Sequence, residues 1–169
     1  MWRRRGRQGS SPVLINCTFA DNSTVCRGGG LAIDGGSPVL TSCAFTGNSA
    51  ASGGGLIAIN SDSRLEDCAF TSNVATYSGG GMWAAGGSPS LVDCNFANNS
   101  GGSGGGLGSE AFTLVLERCT FTNNVGGGGA YCGLYGGPGT NATLTDCVFT
   151  GNSNPRSEEH TSELQSHSD

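Results

Sequence analysis

Lysine is absent from this chain, and histidine is absent from all but its last ten residues. All eight positive charges are arginine, and the two histidines, His160 and His167, lie in the tail. Those absences remove the Schiff-base lysine, and the imidazole as general base or metal ligand, from the body of the chain. Charge of either sign is sparse, at 12% of residues. With a formal net charge of -5 and four of the arginines crowded into Arg3, Arg4, Arg5 and Arg7, no basic face exists for a nucleic acid. No apolar run approaches the ~18 residues of a membrane-spanning helix. The basic start also lacks the apolar stretch of about 7 to 15 residues that a signal peptide carries. No C-x-x-C pair or Cys/His set is present, so zinc is not supported.

What is present is repetition. Leu, two residues, Cys, one residue, Phe, two residues, Asn recurs six times: Leu14-Cys17-Phe19-Asn22, Leu40-Cys43-Phe45-Asn48, Leu65-Cys68-Phe70-Asn73, Leu91-Cys94-Phe96-Asn99, Leu116-Cys119-Phe121-Asn124 and Leu144-Cys147-Phe149-Asn152. The Cys-to-Cys steps are 26, 25, 26, 25 and 28 residues. A fixed period between 20 and 50 marks stacked repeats, which act through long surfaces of equivalent positions. The repeats occupy residues 9–154. Residues 1–8 read as a basic head foreign to the fold. Residues 155–169 read as a foreign tail, because RSEEHTSELQS from Arg156 resembles the translation of a sequencing adapter. The repeats are therefore expected to belong to a longer protein.

Cys and Phe, two apart, share the inner face of a strand. Leu, three before Cys, breaks that parity, so a bend is expected between them. Behind each Asn comes a glycine run, and behind each run a strand with alternate inward residues: Leu31 and Ile33, Leu56 and Ala58, Met82 and Ala84, Leu107 and Ser109, Ala130 and Cys132. The fold class is thus all-β, a right-handed parallel β-helix of about six coils of roughly 25 residues, with three short strands each. Stacked Phe rings fill its interior, stacked Asn amides bond from coil to coil, and the glycines supply positive φ. A leucine-rich repeat fits the opening pattern but not the Gly runs, which are poor helix material. A calcium-binding nonapeptide roll needs a recurring Asp, and Asp34 aligns with Asn60 and Gly86.

The pairing of a Gly-Gly-small-aliphatic element with F-x-x-N, once per coil, resembles the repeats of chlamydial-type polymorphic outer-membrane proteins. The Gly element reads GGGL or GGGM in four coils and GGAY at Gly128 to Tyr131. The resemblance implies an autotransported surface β-helix that acts as an adhesin.

The six repeat cysteines form one inward column. Their Cβ atoms, about 4.8 Å apart, exceed the ~3.8 Å of a disulfide, so the column reads as buried thiols acting as small hydrophobes. Carboxylates cluster just before Cys: Glu66, Asp67, Asp93, Glu117 and Asp146, with Arg118 among them. Asp67 and Asp93 would approach to about 5 Å, near enough to share Ca²⁺, as in acidic grooves of pectate lyases and polygalacturonases; a solvated charged edge is the plainer reading. The outward pairs beside the Phe column are all small and uncharged, from Thr18 and Ala20 to Val148 and Thr150. They would offer a flat face to another chain, a glycan or ice; ordinary strand preference for Thr is the plainer reading. Tyr77, Trp83, Tyr131 and Tyr135 are candidate exposed aromatics that share no column. Asn16, Asn22, Asn98 and Asn141 sit in N-x-S/T sequons.

No catalytic, cofactor-binding or metal-ligating residue stands out. The expectation is a non-enzymatic part of a secreted or outer-membrane β-helix protein for adhesion or surface structure. Its partners would be a host-cell surface or glycan, with no nucleic acid and no cofactor, and exposed end coils would self-associate end to end. A pectate-lyase-like or polygalacturonase-like enzyme is the alternative, and an ice-binding solenoid a minor one.

Overall fold

The computed structural model describes residues 9–126, 134–136 and 141–154. Every regular element among them is a β-strand, and every strand pairing is parallel. The strands form four sheets that run the length of a solenoid. The leucine sheet holds Val13–Ile15, Val39–Thr41, Arg64–Glu66, Ser90–Val92, Thr113–Glu117 and Asn141–Thr145. The phenylalanine sheet holds Thr18–Ala20, Ala44–Thr46, Ala69–Thr71, Asn95–Ala97, Thr120–Thr122 and Val148–Thr150. A third sheet stacks Ser49–Ser52, Val74–Ser78, Ser100–Ser103 and Val125–Gly126, and a fourth stacks Leu31–Asp34, Leu56–Ile59, Met82–Ala85, Leu107–Glu110 and Leu134–Gly136. Six leucine-sheet strands bracket five turns. The first coil has the expected three strands, and each of the next four has four. The extra one follows the ladder Asn, where Ser, Ala and Gly leave the backbone free to pair.

The break in parity between Leu and Cys is one residue in the left-handed region. Asn16, Ser42, Asp67, Asp93, Arg118 and Asp146 have φ between 51° and 54°. A second such corner precedes the ladder Asn, at Asp21, Gly47, Ser72, Asn98, Asn123 and Gly151. Asn, Asp and Gly tolerate this region best, which explains why they dominate both positions. Backbone bonding runs unbroken through the corners, as in Ser42 N–H to Glu66 O at 2.9 Å and Asp67 N–H to Val92 O at 3.0 Å.

The glycine runs serve two purposes. Gly28, Gly53, Gly79 and Gly104 have φ of 62° to 67°, as expected for a turn. The two glycines after each are required by proximity instead: a Cβ on Gly54 or Gly80 would lie 2.4 Å from the carbonyl oxygen of Gly80 or Gly105 in the next coil. Between the first glycine of a run and the next column cysteine the spacing is constant, as in Gly28 to Cys43, Gly53 to Cys68, Gly79 to Cys94 and Gly104 to Cys119. The alternation of 25 and 26 therefore falls between Asn and Gly. It appears as a register irregularity in Val74–Ser78, where Tyr77 bulges outward.

The longer fifth step corrects one assignment. Leu134 and Gly136, not Ala130 and Cys132, take the positions opposite Leu107 and Ser109; Ala130, Cys132 and the GGAY element lie outside the described residues. The Asp34 column also differs by one position, running through Ile59, Ala85 and Glu110, because the return from Asp34 is 25 residues. Asp still does not recur there. The basic head and the adapter-like tail lie outside the described residues.

Inside, Phe45, Phe70, Phe96 and Phe121 are fully buried, with Leu40, Leu65, Leu91, Leu116, Leu56, Met82 and Leu107 around them. Ring centroids from Phe19 to Phe149 follow at 4.6 to 4.8 Å with planes within 5° of parallel. Each buried ring contributes about 1.5–3 kcal/mol by burial, and stacking adds roughly 0.5–1.5 kcal/mol per pair. The Asn ladder is as continuous. Asn73 Nδ2 donates to Asn99 Oδ1 at 3.0 Å and to Phe45 O at 2.8 Å, while its Oδ1 accepts from both nitrogens of Asn48 at 3.0 Å. Asn48, Asn73, Asn99 and Asn124 are wholly buried and fully bonded in this way.

Asn73→Ala would leave the backbone N–H of Asn48 and one N–H of its side-chain amide without their acceptor in a dry interior, at about 1–3 kcal/mol for each group. Urea unfolding is expected to show a loss of roughly 3 kcal/mol or more for Asn73→Ala and about 1 kcal/mol for Asn22→Ala at the solvated end of the ladder. Equal losses at the two positions would contradict a cooperative ladder.

Candidate functional site

With glycine, Asn, Phe and Leu committed to the coil, function falls to the outer faces. The acidic edge lies at the left-handed corner, so backbone conformation already accounts for Asp67, Asp93 and Asp146. Their side chains pair along the column. Ser42 Oγ donates to Asp67 Oδ2 at 2.9 Å. Arg118, one coil on from Asp93, donates from Nε and Nη2 to both of its carboxylate oxygens at 2.7 and 2.8 Å. Arg118 also holds Glu117, and Arg64 lies 3.5 Å from Glu66. Asp67 and Asp93 thus bond in opposite directions along the edge, to Ser42 and to Arg118, rather than converging. Among the described residues, no three His, Cys, Asp or Glu side chains gather as a metal site. Glu66, Asp67 and Asp93 lie on a solvated edge where Arg64 faces Glu66 and Arg118 faces Asp93, and where carboxylates outnumber arginines.

The face of the phenylalanine sheet is different in kind. Its strands pair in strict register, which aligns two outward columns. One runs Thr18, Ala44, Ala69, Asn95, Thr120, Val148, and the other Ala20, Thr46, Thr71, Ala97, Thr122, Thr150. No ionisable group interrupts either column. Thr120 Oγ1 donates to Asn95 Oδ1 at 2.9 Å, so the hydroxyls also bond along the axis.

The aromatics depart from expectation. Trp83 is only 9% exposed. Its ring lies across Gly108, where a Cβ would meet ring carbons at 2.4 and 2.5 Å. Trp83, Gly108 and Tyr135 occupy one column of the fourth sheet, so two of the four aromatics do share a column. The gap left by Gly108 is what admits the indole, a complementarity invisible until the register is known. Tyr77 is exposed on the third sheet, and Tyr131 lies outside the described residues. The sequon residues Asn16, Asn98 and Asn141 are exposed, whereas Asn22 caps the amide ladder and donates to Asn48.

The six column cysteines carry free thiols, and Cys43, Cys68, Cys94 and Cys119 are buried. Their Sγ atoms donate to backbone carbonyls, as in Cys43 to Thr41 O at 3.4 Å. Burial pushes the Cys43 and Cys147 thiols up. Hydrogen bonding between sulfurs lowers Cys68 and Cys119 to about 7 and raises Cys94, their shared partner.

The Arg118 guanidinium, by donating to Asp93, holds that carboxyl below the usual carboxylate range. The pairing is present above the ordinary carboxylate pKa and is lost as pH falls through the depressed value. In Arg118→Gln, carboxyl NMR titration is expected to return Asp93 upward toward the ordinary value. An unmoved midpoint would show that Arg118 does not set it.

No curated protein and no solved structure matches the chain. The profile of the right-handed β-helix region matches residues 6–134. That span covers most of the parallel solenoid with its Phe and Asn ladders, and the chain belongs to the right-handed β-helix family.

Proposed function

We propose that this chain is a stretch of a non-enzymatic, secreted or cell-surface β-helix of the polymorphic outer-membrane kind, which holds a glycan or host-cell surface against the Thr/Ala face of its phenylalanine sheet. The observation that carries this reading is the face itself: six strands in register, two columns of small uncharged side chains, no charge to desolvate on contact. A flat ligand with a repeating structure meets equivalent contacts at each coil, and weak contacts sum by multivalency. What weighs for binding over polysaccharide cleavage is the acidic edge. A lyase-like or polygalacturonase-like site needs free carboxylates facing a basic residue across one groove, whereas Asp93 and Arg118 neutralise each other.

Copies of the isolated chain join end to end. Parallel strands at the outermost coils of an isolated solenoid offer backbone groups to a second copy, and the inward Phe149 of the last described coil is 44% exposed.

On glycan arrays and fixed host cells, the whole chain is expected to be retained, and the variant Thr46→Arg/Thr71→Arg/Thr122→Arg to lose at least tenfold in binding. Equal retention of parent and variant would remove the face from the reading. Thermal hysteresis in the parent that vanishes in the variant would assign the face to ice instead. Light scattering is expected to show a mean mass that climbs with concentration, and a strict monomer at high concentration would overturn end-to-end association.

A further inference from the structure

The column of Cys17, Cys43, Cys68, Cys94, Cys119 and Cys147 is a row of soft ligands in a dry interior, where it packs within the core. Leu and Phe columns flank it, and the inner four cysteines are no more than 1% exposed. Its spacing is set by the coil. Strand pairing fixes the rise, which the neighbouring Phe rings report as 4.6 to 4.8 Å. A disulfide needs sulfurs about 2.05 Å apart, so neighbours on this rise stay thiols. A metal–sulfur bond of about 2.3 Å, laid twice in a straight line, spans roughly 4.6 Å. The rise that forbids S–S therefore matches S–M–S.

We propose that adjacent column sulfurs bind soft, monovalent d10 metal ions in linear two-coordinate pairs along the solenoid axis. Binding replaces the proton on each of two thiols by one bond to the metal, so two protons leave for each ion taken up. The geometry selects the ion. Each sulfur has neighbours only above and below, which suits two-coordination and cannot build the tetrahedron zinc prefers. Thiolate softness rejects hard, oxygen-seeking cations. The surroundings favour the complex over bare thiolates. Each inner sulfur lies 3.4 to 3.6 Å from backbone carbonyl oxygens, such as Glu66 O and Leu40 O around Cys68. Two bare thiolates meet those oxygens with two negative charges, whereas the dithiolate–metal unit carries one and its metal ion is drawn to them. Entry is from the half-buried end members, Cys17 and Cys147, or through opening of a coil.

Silver(I) is the probe. The whole chain carrying Cys26→Ser and Cys132→Ser, which removes the two thiols outside the repeat motif, is titrated under reduced, anaerobic conditions in its folded state. One silver per two column sulfurs is expected, with an X-ray absorption shell of two sulfurs and an unchanged β-sheet circular dichroism spectrum. In the added variant Cys68→Ala/Cys94→Ala, uptake should fall by one third. No uptake by the folded chain, under conditions where the urea-unfolded chain takes silver, would overturn the proposal. So would a shell of three or more sulfurs, or uptake accompanied by loss of the β-sheet spectrum. The absorption shell is measured on the protein with an intact column, so the result stands even if the alanine variant fails to fold.

Discussion

The rise of one coil onto the next, fixed near 4.8 Å by parallel backbone hydrogen bonding, is the constraint from which the other features descend. Because the chain returns to the same place after 25 or 26 residues, each side chain meets its own kind. Phe stacks on Phe at a separation where aromatic pairs attract, and Asn reaches Asn at bonding distance. The constraint also works by exclusion. In the glycine runs the backbone of one coil lies so close to the carbonyls of the next that a methyl group does not fit. The Phe, Leu, Cys and Asn columns are therefore invariant, and among the first four coils the difference in length is confined to the segment between Asn and the glycine run.

Much of this was legible in the sequence because the repeat displays each column six times. Phe, Leu, Cys and Asn announce their inward direction by type and period, and their burial follows. The fourth strand was not legible: Ser49–Ser52 and Ser100–Ser103 are small and polar, and only the backbone of neighbouring coils makes strands of them. The acidic residues before Cys were legible as a cluster, but their partners along the axis were not. A signal was present in the companion residues, since Asn16, Ser42 and Arg118 occupy the same position as Asp67 and Asp93. A column that admits Asn, Ser, Asp and Arg but keeps one φ is selected for backbone shape before charge. The shift to Leu134 in the fifth coil could not be read locally, because Ala130 and Leu134 both follow glycine and only pairing with Leu107 decides between them.

The outer faces differ according to what lies beneath them. Over the phenylalanine sheet, in-register strands present a level and uncharged surface, and selection there is for smallness. Over the fourth sheet, the glycine run and Gly108 open room into which Ile57 and Trp83 pack although they point away from the core. The acidic edge is governed by pairing along the axis, with Arg118 spanning two coils. A change on one of these surfaces leaves the others intact, since no surface side chain participates in the interior ladders.

The Asn ladder has a direction. From Asn22 to Asn124 each amide nitrogen donates to the Asn oxygen of the higher-numbered coil, and from Asn48 to Asn152 each amide oxygen accepts from the Asn of the lower-numbered coil. From Asn48 onward the amide also donates back to a Phe carbonyl of the coil before. A coil consequently hands on the same chemistry that it receives. Removing a whole coil, or copying one, keeps the Phe, Leu, Cys and Asn columns continuous, whereas deleting half a coil breaks every column at once. Gene rearrangements that add or subtract complete units of this length thus preserve the interior ladders, and what they disturb is the coil-specific pairing outside, such as Arg118 with Asp93.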